Sequence, residues 1–334
     1  MKADHGPIKL RAITAILALI AVPLGMALQE KEGTPRIRVE SALVTVPVMV
    51  SDSGGRFIPD LKADAFKLYQ DGVPADVSLF LTSEDPIKIA ILLDTSPSTR
   101  TVLDKIKKSA TRFLVQMRPQ DMATIVSFDS DIQVLCPFSS DPRELGRAIE
   151  NAKPGGASTR IRDAIIEMAQ RRFRSISGRK AIVLLTDGED HGSETSVQAL
   201  LDGVAASSTL IYSIFYHVDP RQLMKELIGR SVRIPKPVKG RKDPWQQREE
   251  EAAAFLEKVS ELSAGRFYRS EITEFDKAFK QISDELRSQY LLGFYPDQSK
   301  LDGQLHSLEV QVAVPDAVVR SRRSYRSIPD SKFR

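Results

Sequence analysis

A doubly wound α/β domain, with a mostly parallel sheet and one antiparallel edge strand, is predicted by three observations. Residues 87–94 (IKIAILLD), 180–187 (KAIVLLTD) and 209–216 (TLIYSIFY) are near-continuous apolar runs of strand length, as expected of parallel strands buried on both faces. Stretches with apolar residues at helical spacing separate them, and the strand–helix alternation is sustained from about 85 to 288.

The elements follow in order. Val102, Ile106, Phe113, Leu114 and Met117 mark the first helix. Residues 122–128 and 131–138 lie close enough for a hairpin, which puts one antiparallel strand on a sheet edge. Ile161, Ala164, Ile165 and Met168 mark a second helix, 193–207 a third and 249–262 a fourth. RFYR at 266–269 is a short strand, and Phe275, Phe279, Ile282 and Leu286 define a closing helix over 273–287.

Both flanks have β character. In 37–84 a valine-rich run (39–50) is followed by a turn at 51–55, and Asp71-Gly72 sits between two apolar runs, a hairpin signal. Residues 289–326 hold three further β-type runs, and 327–334 read as a tail. Neither flank has strands enough to enclose a core alone. The economical arrangement is one β-sandwich-like domain built from both, with 85–288 inserted between its halves.

Composition narrows the function. The chain has 334 residues, 42% hydrophobic and 28% charged, which is ample for a packed core. The single cysteine, Cys136, excludes an intrachain disulfide framework and a multi-cysteine zinc site. Four scattered histidines argue against a histidine-rich metal site. A net charge of +4 is a weak signal for nucleic acid, and no nucleic-acid partner is expected. Residues 221–248 carry nine basic and two acidic residues around Trp245. Without interleaved aromatics this segment reads as a solvated loop.

Residues 1–27 combine Lys2, Lys9 and Arg11 with an apolar stretch from Ala12 and small residues at Gly25 and Ala27. That is the pattern of an export signal cleaved near Ala27–Leu28, followed by a polar linker at 28–36. A periplasmic or secreted protein is expected, possible envelope association included; an uncleaved leader acting as a membrane anchor is the alternative.

Three loops carry the chemistry. One holds Asp94-x-Ser96-x-Ser98, one places Thr159 before the helix containing Asp163, and one holds Asp187 at a strand end. Side chains at the carboxyl ends of neighbouring parallel strands converge on one crevice. Donors that are all oxygen select a hard cation, Mg²⁺ or else Mn²⁺ or Ca²⁺. Asp94, Ser96, Ser98, Thr159 and Asp187 are therefore the expected metal ligands, and no residue is assigned a catalytic role. Because hydroxyl ligands are neutral, the ion keeps much of its charge and attracts a carboxylate from outside. The expected partner is a protein offering an exposed Asp or Glu. Glu189 and Asp190 are expected in a solvated loop, Asp129 and Asp131 in the hairpin, and His191 and His217 on the surface.

Asp94-Thr95-Ser96-Pro97-Ser98, Thr159 and Thr186-Asp187-Gly188 resemble the metal-ion-dependent adhesion site of von Willebrand factor type A domains. GGASTRIRDAI at 155–165 is similar to that family's GGT-x-L-x-D-A form. It departs by inserting Ala157-Ser158, which leaves Ser158 as a rival for the third hydroxyl. The flanking DLKADAFKLYQDGVPADVSLF and YLLGFYP resemble secreted bacterial proteins of this family, frequent in acidobacteria. The resemblance implies a Rossmann-like A domain, a divalent ion and a binding role, with no particular ligand. It also implies that movement of the last helix, 273–287, is coupled to the metal loops.

Two alternatives compete with an adhesion-type module. A Mg²⁺-dependent phosphoryl-transfer enzyme would use Asp94 as nucleophile. The second aspartate such enzymes need two residues on is Ser96, and no general acid or base lies in the three loops. An assembly scaffold like the A domains of metal chelatases would work with cytoplasmic ATPases, at odds with an export leader.

Overall fold

The computed structural model describes residues 43–219, Met224 and 243–327. The expected leader, the linker and most of the basic segment lie outside the described residues. Four strands open the described chain: β1 (Val44–Ser51), β2 (Phe66–Gln70), β3 (Val73–Ala75) and β4 (Leu79–Leu81). An α/β lobe follows: β5 (Ile87–Asp94), α1 (Leu103–Val115), β6 (Met122–Phe128), β7 (Ile132–Ser139), α2 (Pro142–Asn151), α3 (Ile161–Ile166), β8 (Arg179–Thr186), α4 (Val197–Ala206), β9 (Leu210–Phe215), α5 (Pro244–Leu262), β10 (Arg266–Arg269) and α6 (Phe275–Leu286). Four strands close it: β11 (Gln289–Phe294), β12 (Leu305–Val312), β13 (Val318–Ser321) and β14 (Ser324–Arg326).

The lobe's sheet has the order β10-β9-β8-β5-β6-β7, and every pair in it is parallel except β6–β7. Its period-two side chains feed two cores. Ile89, Ile91 and Leu93 of β5 join α1, α2 and α6 on one face, while Ala90 and Leu92 join α3, α4 and α5 on the other. Both faces are thus covered, which is why these strands are apolar throughout.

The helix α2 has no counterpart in the expected elements. Its apolar face is only Leu145, Ala148 and Ile149, too few for a clear periodic signal. Its local signal is the pair Asp141-Pro142: Asp141 caps the helix by accepting from Arg143 N at 2.8 Å, and proline takes the first turn. Ser196 caps α4 and Asp243 caps α5 in the same way, through Ala199 N and Trp245 N. The second helix continues beyond α3 as a π-wound turn over Glu167–Arg172.

The flanking strands form two four-stranded sheets, β13-β1-β11-β4 and β14-β12-β2-β3. Each flank gives strands to both sheets, and the inward residues Val46, Val48, Val50, Phe66, Leu68, Leu292 and Phe294 share one core. Asp71 and Gly72 have positive φ, 49° and 79°, the backbone of a tight hairpin turn between β2 and β3.

Met49, on the opposite face of β1 from the valines, packs into the lobe's core. The chain enters the lobe through 82–86 and leaves it through 287–288. Buried Arg179, at the start of β8, donates to the carbonyls of Ser83 and Asp85 on entry and of Leu286 on exit. Both crossings lie at the amino end of β5 and β8, away from Asp94 and Asp187. Among the described residues no helix is long and apolar enough to cross a membrane.

Candidate metal centre

Leu93 of β5 pairs with Leu185 of β8, so Asp94 and Thr186 come next in register. Thr186 Oγ1 donates to Asp94 Oδ2 at 2.6 Å, and Ser96 N donates to Asp94 Oδ1 at 3.0 Å. Thr99 Oγ1 donates to the carbonyls of Asp94 (3.0 Å) and Ser96 (2.9 Å), closing the loop after β5 into a tight turn. The Ser96 and Ser98 hydroxyls then lie 3.0 Å apart. Beyond β8, Gly188 N donates to Thr186 Oγ1 at 2.9 Å and Glu189 N to Asp187 Oδ1 at 3.3 Å.

Asp94 is 0% and Asp187 8% exposed. Burial, and then the charge of Asp187, push the Asp94 carboxyl up to about 8. Burial raises Asp187 as well, opposed by the Ser98 hydroxyl. Among the described residues neither aspartate forms an ion pair with a basic side chain. Two buried acids side by side are unfavourable as anions unless a cation joins them.

Thr159 is buried, at 4% exposure, and is tied to these loops through its main chain. Its carbonyl accepts from His191 N (3.1 Å) and Gly192 N (3.0 Å) on the loop beyond Asp187, and Gly155 N donates to Thr95 O at 2.9 Å. The rival hydroxyl, Ser158 Oγ, instead donates to Ser130 Oγ at 3.1 Å. Gly155 and Gly156 are required by close approach. A Cβ on Gly155 would stand 2.7 Å from Asp129 Oδ2, and one on Gly156, where φ is +55°, 2.6 Å from Ser130 Oγ.

Further acids build the loops. Asp163 accepts from Thr195 N, Glu194 N and Arg160 Nε. Burial raises its carboxyl, but these donors outweigh burial and bring it down to about 2. Asp190, expected in a solvated loop, is tied down: it accepts from Arg162 N at the start of α3 (2.9 Å) and from Ser193 Oγ (2.7 Å). Thr95 Oγ1 donates to Asp129 Oδ2 at 2.8 Å, so Asp129 also braces the loop after β5. His191 and His217 hydrogen-bond the carboxylates of Glu189 and Glu249 and remain largely exposed.

Among the described residues no three His, Cys, Asp or Glu come together as a metal cluster, so a cation here depends on hydroxyls. Asp94, Ser96, Ser98 and Asp187 cluster as oxygen donors of the kind a hard divalent ion takes, and Thr159 is tied to their loops by its main chain. Tyr216 was missed by sequence reasoning. Its buried Oη has no partner, and after burial the charges of Asp94 and Asp187 hold its phenol well above the usual range. Thr186 was legible only as Asp187's neighbour. A cleft of about 300 Å³ opens beside the cluster, lined by Ser98, Asp187, Tyr216, His217, Trp245 and Glu249 among others.

Residues 89–189 match the family model of the von Willebrand factor type A domain, so this part of the chain is a domain of that type. Domains of the family are metal-dependent protein-interaction modules. No curated protein matches the chain. Similar solved structures include BatB from Bacteroides thetaiotaomicron, at 22% identity over 60% of this chain and 97% of that one, with a TM-score of 0.44. The von Willebrand factor domain of the type V pili tip protein Mfa5 from Porphyromonas gingivalis is 13% identical over 59% of this chain and 94% of that one (TM-score 0.41). Proximal thread matrix protein 1 from the mussel byssus, with a zinc-occupied metal-ion-dependent adhesion site, is 14% identical over 64% and 48% (TM-score 0.45).

Proposed function

We propose that this protein is an exported, divalent-metal-dependent binding module that grips an acidic residue of a partner protein. Asp94, Ser96, Ser98, Thr159 and Asp187 would hold Mg²⁺, Mn²⁺ or Ca²⁺, directly or through water. The observation that carries the reading is the pair of buried aspartates, Asp94 and Asp187, joined by the Ser96 and Ser98 hydroxyls beside an open cleft. The ion would relieve their mutual repulsion and retain charge enough to bind a guest carboxylate. With one Asp94 oxygen accepting from Thr186 and the other from Ser96 N, the geometry favours a structural role for Asp94 over nucleophilic attack.

Affinity capture from cell-envelope extract, run with Mg²⁺ and with chelator, tests the reading. Partners retained with Mg²⁺, released by EDTA and absent with Asp187→Ala are the expected result. Capture that ignores both chelator and the substitution overturns it.

A further inference from the structure

A second cavity, of about 390 Å³, lies where the α/β lobe meets the sandwich, at the end opposite Asp94. Its size is at the lower end of small-molecule sites, roughly 300–1,000 Å³. Lys180, Arg174, Arg322 and Arg326 line it, and among the described residues no carboxylate is in its walls.

Two of these cations, Arg322 and Lys180, have carbonyl partners. Arg322 is 3% exposed; its Nη1 donates to the Ser207 carbonyl at 2.9 Å, and its buried Nε has no partner. Among the described residues, Lys180 Nζ donates to the Phe173 carbonyl alone, at 3.3 Å. Arg326 has a carboxylate partner in Asp202 at 2.9 Å, yet its Nε too is buried without one. Arg322 is thus a buried cation with no carboxylate partner among the described residues, an arrangement that is costly unless an anion joins it. Burial, then Arg322 and Lys88, bring Lys180 down to about 8, the direction that an incoming anion would reverse. Leu79, Phe173, Ile176 and Leu301 supply the apolar part of the walls, beside hydroxyls such as Thr45 and Ser208.

We infer that this cavity binds a small amphiphilic anion, an oxyanion head met by Arg322 and Lys180 on an apolar body resting against Phe173 and Ile176. The site is separate from the metal centre and independent of its function. Carboxylate and phosphate heads share the required chemistry.

Isothermal titration calorimetry of the full chain, in EDTA and at fixed ionic strength, tests it with hexanoate, hexyl phosphate, inorganic phosphate and hexanol. One saturable site for hexanoate or hexyl phosphate, none for hexanol and a much weaker response to inorganic phosphate is the expected outcome. The tighter of the two amphiphiles identifies the head group. Lys180→Met should weaken binding about tenfold, the worth of one charge-assisted hydrogen bond. Ser177→Glu, at an exposed position on the cavity wall, brings in a competing carboxylate and should do the same in a chain whose circular dichroism is unchanged. Absence of a saturable site, inorganic phosphate as tight as hexyl phosphate, or full affinity in a folded Ser177→Glu or Lys180→Met chain overturns the inference.

Discussion

Thr186 Oγ1 holds Asp94 Oδ2 at 2.6 Å across the β5–β8 pair, while accepting from Gly188 N at 2.9 Å. One hydroxyl thus orients the buried aspartate and shapes the turn that carries Asp187. Thr186→Val keeps the shape and removes both bonds. It should lower stability by about 1–3 kcal/mol through the unpaired buried groups, read by urea denaturation. It should also weaken Mn²⁺ binding about 10- to 100-fold, as loss of an outer-shell partner does, read by calorimetry.

Gly156 is held at φ +55° against Ser130. Gly156→Ala adds a Cβ against that hydroxyl in an unfavourable backbone region and should cost about 1–3 kcal/mol. Because the loop carries Thr159, metal affinity should fall with it. Melting curves with and without Mg²⁺ check both effects.

Glu285, buried near the end of α6, takes the guanidinium of Arg320 from β13, that of Arg266 at 3.2 Å and the Tyr212 hydroxyl at 2.9 Å. The opposite end of α6 begins with Phe275, whose ring meets Tyr216 edge-on at 5.4 Å beside the two aspartates. A continuous helix therefore runs from the sandwich to the loops of Asp94 and Asp187. Arg320→Gln should destabilise the chain by about 1–3 kcal/mol and shift Mn²⁺ affinity measurably. Unchanged affinity in the folded variant would show that α6 carries no coupling.

Two titrations bracket the stability of the sandwich around the β2–β3 turn. Hydrogen bonds from Lys300 and His306 hold the Asp71 carboxyl well below its usual range. Burial lowers His306, but its bonds to Asp71 and Asp302 outweigh burial and raise it. The Asp71 contribution is present above its unfolded value, ~3.9, and is lost as pH falls below it. The His306 contribution is complete below ~6.5 and is lost as pH rises through its higher folded value. The melting-temperature advantage of the chain over His306→Gln should therefore be constant from about 4 to 6.5 and shrink on either side.

The strands of the lobe were legible because burial on both faces leaves an apolar run, as in Ile87–Asp94. Placing Asp94, Ser96, Ser98 and Asp187 at strand ends required only the topology rule for parallel sheets. Other features had no such pattern. Helix α2 buries three apolar side chains, and its Asp-Pro cap was its one local sign. Asp190 looks like loop solvent until Arg162 N and Ser193 close on it. Tyr216 sits one residue past a buried strand, where only the folded loops bring it toward the aspartates.

The double crossing stapled by Arg179 has a mechanical consequence. Tension applied at Val44 and Arg326 loads the ladders that β1 makes with β11 and β13, while Asp94 and Asp187 lie at the end of the lobe away from both crossings. Pulled between a surface and a tether, the protein would stretch its sandwich first and keep the loops of Asp94 and Asp187 relaxed until those ladders part.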